Sequence, residues 1–388
     1  MNYFCSEKFD YAEIRLYDAF VASCCVATPH HVTLNDIKSH PVGFFNYPAI
    51  IAERQQMLSD QPVAGCANAC WNVEASGAKS RRQRIGTDTK IYNSTVGIPK
   101  TVNLLISNTC NQTCVYCCKN LSSSWLTDVA KHGDYNIDGH SDRYNLDRRD
   151  HVLLNVSQSQ LFNSKISQQI LQQLINAQDQ IEELQITGGE PFLDNNLISI
   201  LEQMSAVKTI KIYTGLNVNS ARFAKMLEKI KDMSNVAVMV SAENLSMLHE
   251  FNRAGSKYNQ WLTNFDLVST YYKPTFNCVI TNTTLFGLAE FLQRYDTHQC
   301  VFNVSVDPNF LTASMLDDQS KTIIVDQLQA LNRPDLDDII GLIGMDADLS
   351  LKPNLLAFLQ RFVKHKDLDL AIFPKSWLDW VWLKTIDQ

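Results

Sequence analysis

Two observations predict an α/β fold built on a parallel sheet. Between residues 100 and 310, short apolar or β-branched runs alternate with stretches of helical periodicity. The residue groups able to carry chemistry fall just after those runs, at the C-terminal ends of the strands, where parallel α/β folds gather their sites. The runs lie at 101–107, 182–187, 208–214, 235–241, 273–280 and 300–306. Between them, Ile166, Ile170, Leu171, Leu174 and Ile175, then Leu197, Ile200, Leu201 and Met204, then Phe223, Met226, Leu227 and Ile230 mark helix faces that need cover. Alternation of this length implies right-handed crossovers and six βα units.

The first strand runs into Asn108-Thr-Cys-Asn-Gln-Thr-Cys-Val-Tyr-Cys-Cys, which spaces Cys110, Cys114 and Cys117 as C-x3-C-x2-C. A [4Fe–4S] cluster normally takes four thiolates, so a loop that supplies three leaves one iron open to an exchangeable ligand. A zinc site is the alternative, but it asks for a fourth Cys or His close by. The second strand ends in Thr187-Gly-Gly-Glu-Pro191. Its glycines permit a close backbone approach, and an anionic side chain beside them suits an ammonium group.

With Tyr116 directly before the third cysteine and Gly188, Gly189, Glu190 and Pro191 about 70 residues later, the chain resembles the radical S-adenosylmethionine (SAM) superfamily. The resemblance implies a partial (β/α)6 barrel over residues 100–310, with a SAM-binding [4Fe–4S] cluster on Cys110, Cys114 and Cys117. It implies that Tyr116 belongs to the cofactor site and that Gly188, Gly189, Glu190 and Pro191 hold the SAM amino group. It further suggests Asn217 after strand three as a SAM contact, Ser241 and Glu243 after strand four for the ribose hydroxyls, and Arg253 for the SAM carboxylate. The activity implied is one-electron cleavage of SAM to methionine and a 5′-deoxyadenosyl radical, which abstracts a substrate hydrogen. An electron donor such as flavodoxin or ferredoxin goes with it.

Residues 1–99 carry a second cysteine set: Cys5, Cys24, Cys25, Cys66 and Cys70. The alternating stretch from Ile14 to Ser23 reads as a hairpin that brings Cys5 and Cys24 together. Neighbours on a strand point to opposite faces, so one of Cys24 and Cys25 is the ligand, and Cys24 is favoured. Arg54, Trp71, Glu74, Gly77, Ser80 and Arg82 make this region similar to the Twitch domain, a short form of the SPASM domain, placed here before the barrel. Ser123-Ser-Trp125 and the closing pattern Asp367, Asp369, Phe373-Pro374, Trp377 and Trp380 belong to the same resemblance. It implies an auxiliary [4Fe–4S] cluster on Cys5, Cys24, Cys66 and Cys70, although four cysteines satisfy zinc equally. A fully ligated auxiliary cluster suits electron acceptance, so a net oxidation or a bond-forming step is expected.

Composition is in keeping with an enzyme. At 388 residues, 45% of them hydrophobic, the chain can bury a large core. Residues 311–388 read as a helical extension, with Leu355, Phe358, Leu359 and Phe362 forming a packing stripe. The net charge of −7 argues against a general polyanion binder. The expected substrate is therefore a small molecule or a peptide. A nucleic acid base is the alternative, approached through Lys79 to Arg84 and through Arg143, Arg148 and Arg149. A non-catalytic iron–sulfur or zinc scaffold is a third reading. The polar stretch 119–158 reads as a lid or a solvated loop. No apolar run reaches the roughly 18 residues of a membrane span, no export signal is evident, and eleven cysteines suggest thiolate ligands in a reducing, cytoplasmic setting.

Overall fold

A computed structural model describes residues 3–39, 43–75, 80–84 and 92–383. Of the positions singled out above, Gly77 and Lys79 lie outside the described residues. The chain divides into two compact units, one comprising Met1–Asn108, Val156–Ile212 and Lys229–Ala237, the other Thr109–Asn155, Tyr213–Glu228 and Val238–Gln388.

In the first unit, β1 (Tyr11–Arg15) and β2 (Phe20–Ala22) form the expected antiparallel hairpin, with Ile14 opposite Val21. A short β3 (His30–His31) extends it. On its other side β1 runs parallel to β4 (Thr101–Leu105), Tyr11 opposite Thr101. The sheet therefore continues across residue 99 into the N-terminal region. Beyond β4 and a two-residue β5 (Thr113–Cys114) in the second unit, β6 (Glu183–Thr187) lies parallel to β4, and β7 (Thr209–Thr214) parallel to β6. Leu184, Ile186, Ile210 and Ile212 alternate inward along β6 and β7. Ile170, Leu171 and Leu174 turn the buried face of the helix Lys165–Asn176, and Ser167 Oγ donates to Leu16 O at 2.6 Å.

In the second unit, β8 (Val236–Ser241), which begins in the first, runs parallel to β10 (Thr275–Ile280), and β10 to β11 (Cys300–Val304). The tiny β9 (Arg253–Ala254) pairs antiparallel with β5, Cys114 opposite Arg253. All six strands expected from the apolar runs are present.

The stretch 119–158 is not a solvated loop. It folds into helices Ser123–His132, Ser141–Tyr144 and Arg148–Asn155, with Trp125, Tyr135 and Tyr144 fully buried. These three rings pack on one another and on Phe358 of the helix Lys352–Lys366, and Trp125 also meets Phe362 at 5.8 Å between centroids. The apolar stripe read from the C-terminal sequence is thus the surface that covers them. Among the described residues no helix is long and apolar enough to cross a membrane.

Candidate active site

The cysteine loop is fixed from both ends by its own neighbourhood. Ser122 caps the helix Ser123–His132 by accepting from Trp125 N, and its hydroxyl donates to Gln112 O at 2.7 Å. Cys110 N donates to Ser123 Oγ at 3.0 Å, while Ser123 and Ser124 hydroxyls donate back to Cys110 O at 3.1 and 2.8 Å. Trp125 Nε1 donates to Cys114 O at 2.9 Å. The Ser123-Ser-Trp125 triplet therefore clamps the loop at the backbone of two of its three ligand candidates, Cys110 and Cys114.

The three thiols are near one another. Burial first, and then the negative charges of Cys118, Cys114 and Cys110, push the Cys117 thiol well above its ordinary range. A cationic cluster that takes thiolates relieves that strain, so the donor set fits an iron–sulfur centre.

Tyr116, Glu243 and Arg253 are also brought together. Glu243 Oε1 accepts from Tyr116 OH at 3.2 Å, from Val279 N at 2.9 Å and from an Arg253 guanidinium nitrogen at 2.7 Å, and Oε2 accepts from Arg253 Nε at 3.1 Å. The guanidinium also sits 5.5 Å from the Tyr116 ring centroid. Arg253 is 4% exposed, so it is no helix-surface cation. The pair was not legible as a pair in the sequence, where the two residues read as separate ligands. Asn217 is buried; its side-chain amide donates to Gly255 O at 2.9 Å, and its carbonyl accepts from Asn111 at 2.8 Å. Ser241 ends β8, half-buried, opposite Asn277.

In the first unit, Gly188 and Gly189 have φ of 75° and 53°. A Cβ on Gly188 would lie 2.8 Å from the Leu105 side chain, so only glycine fits that turn. Glu190 is buried and accepts from Phe192 N at 3.2 Å, opening a short turn at Pro191.

The N-terminal cysteine set is equally compact. Cys5, Cys24, Cys66 and Cys70 are all buried, and three of them share an apolar cluster with Phe9, Met57, Val63 and Trp71. Burial drives the Cys5 thiol up to about 12 and the Cys66 thiol up to about 11, with Cys24 and Cys70 adding to both. Cys24 and Cys25 do not lie on a strand as expected: β2 stops at Ala22, and both cysteines sit in the following bend. The alternation argument fails there, because a bend lets adjacent thiols meet, and the two thiols shift each other, Cys24 down and Cys25 up. Burial still separates them, since Cys24 is buried and Cys25 exposed.

Basic groups surround this set. Lys8 is 1% exposed and bonds Glu53 and Ser23 at 2.8 and 3.0 Å. Arg81 pairs with Glu7 at 2.8 Å, Arg82 pairs with Glu74 and lies 4.9 Å from the Trp71 centroid, and Arg54 Nε donates to Lys8 O at 2.7 Å. Arg81 and Arg82 are thus occupied by carboxylates. Among the described residues no three His, Cys, Asp or Glu side chains close on a single point, as one bound ion requires; a [4Fe–4S] cluster takes each thiolate on a separate iron.

Residues 104–290, from within β4 to the helix Leu288–Arg294, match the Radical SAM superfamily model. The radical SAM cyclopropyl synthase TigE of Paramaledivibacter caminithermalis is 22% identical over 257 residues, 63% of this chain and 48% of that protein. The match thus spans about half the length of the curated relative. Among solved structures, Streptococcus suis SuiB bound to the precursor peptide SuiA overlaps with a TM-score of 0.37 at 12% identity, covering 85% of this chain and 70% of that one. SuiB bound to SAM gives 0.35 at 11% identity with the same coverage. The clamped cysteine loop and the Tyr116, Glu243 and Arg253 constellation lie within the matched segment, and residues 104–290 of the chain belong to the radical SAM superfamily.

Proposed function

We propose that this chain reductively cleaves SAM and uses the resulting radical to oxidise, or to form a bond within, a small molecule or peptide. The observation that carries the reading is the clamp of Ser122, Ser123, Ser124 and Trp125 on the three-cysteine loop. Superfamily membership brings SAM and a [4Fe–4S] cluster as cofactors. The chemistry these supply when bound is cleavage of SAM to methionine and a 5′-deoxyadenosyl radical that removes one substrate hydrogen, with the electron coming from a donor such as flavodoxin or ferredoxin.

The protein's residues take the following parts in this reading. Cys110, Cys114 and Cys117 ligate the cluster, and Gly188, Gly189, Glu190 and Pro191 hold the SAM amino group. Arg253 keeps a buried positive charge for the SAM carboxylate, oriented by Glu243 and stacked on Tyr116. Glu243 has one lone pair of Oε2 left for a ribose hydroxyl, with Ser241 beside it. Asn217 fastens the turn after β7 to Gly255 and faces SAM through that turn.

The four buried thiols Cys5, Cys24, Cys66 and Cys70 support an auxiliary [4Fe–4S] cluster in a Twitch-like region, bordered by the ion pairs of Lys8, Arg81 and Arg82. Such a cluster would receive the substrate electron, which favours oxidation or bond formation over isomerisation. The name of the relative TigE, a cyclopropyl synthase, describes a product whose ring needs new bonds, and so leans the same way.

The deciding experiment incubates anaerobically reconstituted, dithionite-reduced protein with SAM and assays 5′-deoxyadenosine. Absence of product, with the reduced cluster visible in its spectrum, would leave the scaffold reading. Iron should reach about eight atoms per chain and fall to about half when Cys110, Cys114 and Cys117 are replaced by Ala. Zinc at the N-terminal set would overturn the auxiliary cluster.

A further inference from the structure

A cavity of about 490 Å3 opens in the second unit beside the cysteine loop, and its chemistry is not used by the reading above. Asn111, Ser123 and Ser124 form one wall, so the residues that grip Cys110 also face the cavity. The same lining brings together the last turns of two helices, Lys131 and His132 from Ser123–His132 with His365 and Lys366 from Lys352–Lys366. A helix C-terminus favours cations one at a time. That preference does not explain why two such ends converge on a common space.

The convergence is close. The His132 and His365 rings stack with centroids 4.6 Å apart and planes 19° from parallel. Asp128 is the one carboxylate among the lining residues, and it is already shared. Lys366 pairs with Oδ1, Tyr135 OH donates to Oδ2 at 3.1 Å, and His365 Nδ1 and His132 Nε2 lie 3.5 and 4.0 Å from its oxygens. One negative charge thus stands against two lysines and two imidazoles. Burial lowers the pKa of both His365 and Lys366; Asp128 opposes this, while His132 and Lys366 depress His365 and Lys131 depresses Lys366. What remains on geometry alone is that Lys131 and Lys366 bring two ammonium groups against the single carboxylate Asp128.

We propose that this cavity binds a metabolite-sized oxyanion, a phosphate ester or a carboxylic acid in its ionised form, between Lys131, Lys366 and the stacked histidines. The volume lies in the range of small-molecule pockets and exceeds what an inorganic ion fills. Ser123, Ser124, Thr113 and Thr127 line the remainder, which suits a polar body behind the anionic group. Because Ser123 and Ser124 also hold Cys110, an occupant rests against the clamp of the cysteine loop.

The test is calorimetric titration of the full, anaerobically reconstituted chain with pyrophosphate and, separately, with citrate. Saturable one-to-one binding of either is expected below about 10 mM. Tighter pyrophosphate identifies a phosphorylated ligand and tighter citrate a polycarboxylate. Lys131 is exposed, so Lys131→Glu leaves the fold intact, and it should weaken binding by at least about tenfold. His132→Gln, also at a partly exposed position, should weaken it by a smaller factor. Absence of saturable binding by either anion, or affinity unchanged in Lys131→Glu, would overturn the proposal. Displacement of the anion by SAM would merge the cavity with the cofactor site and overturn it as a separate one. Loss of 5′-deoxyadenosine formation with anion binding retained would count against the proposed activity alone.

Discussion

Cys24 and Cys25 are neighbours in sequence and differ in the one property that matters for cluster ligation. Cys24 is buried among three other thiols, and Cys25 is exposed in the same bend. Cys24→Ala should therefore lower iron to about the single-cluster level, while Cys25→Ala stays near wild type. Iron and sulfide analysis after anaerobic reconstitution decides it, and the reverse pattern would exchange their roles. The sequence led to the same residue by a reason that does not hold, alternation along a strand that ends at Ala22. Cys110, Cys114 and Cys117 were legible because their spacing is local and the chain that carries them is one short loop. Arg253 and Glu243 were legible only as separate residues. Their ion pair depends on the chain reversing after β8 so that β9 can lie against β5, and no residue pattern announces that path.

At the scale of elements, the six strands were legible because each is a compact apolar run with a helix after it. The helices of 119–158 were not. Their large rings, Trp125, Tyr135 and Tyr144, are spaced too widely to show a period, and they become core only against Phe358 and Phe362 more than two hundred residues later. Trp125 links this packing to the cysteine loop through its indole N–H. Trp125→Phe keeps an apolar ring but leaves Cys114 O without that donor, which should cost about 1–3 kcal/mol. Urea denaturation of the anaerobic protein measures this; a loss within a few tenths of a kcal/mol would mean the bond contributes nothing to the clamp.

For the whole molecule, one titrating link in the second unit carries a pH signature. His140 lies 3.3 Å from Asp307 and donates to Asn309 at 3.0 Å, and Arg143 pairs with Asp307 at 2.7 Å. Burial opposes protonation of His140, yet the bonds to Asp307 and Asn309 carry its pKa above 6.5. A raised histidine adds stability that is complete below its unfolded pKa and disappears as pH climbs through the folded one. Burial likewise works against Asp307, but His140 and Arg143 hold it below 3.8. A depressed carboxylate adds stability above its unfolded pKa and loses it as pH falls through the folded one. Both contributions coexist between about pH 4 and 6.5. The melting temperature gap between wild type and Asp307→Asn should be widest in that window and narrow on either side. A gap that is flat with pH would show that the link is structural only.

The pairing of β1 with β4 bears on how the protein can be divided. β4 has a partner on each flank, β6 on one and the N-terminal β1 on the other. Cutting the chain near residue 99 to isolate a barrel would strip one flank of β4 and bare a row of backbone donors and acceptors next to the cysteine loop, an open edge that invites other chains to pair with it. The N-terminal cysteines thus arrive on a segment the barrel needs for its own solubility.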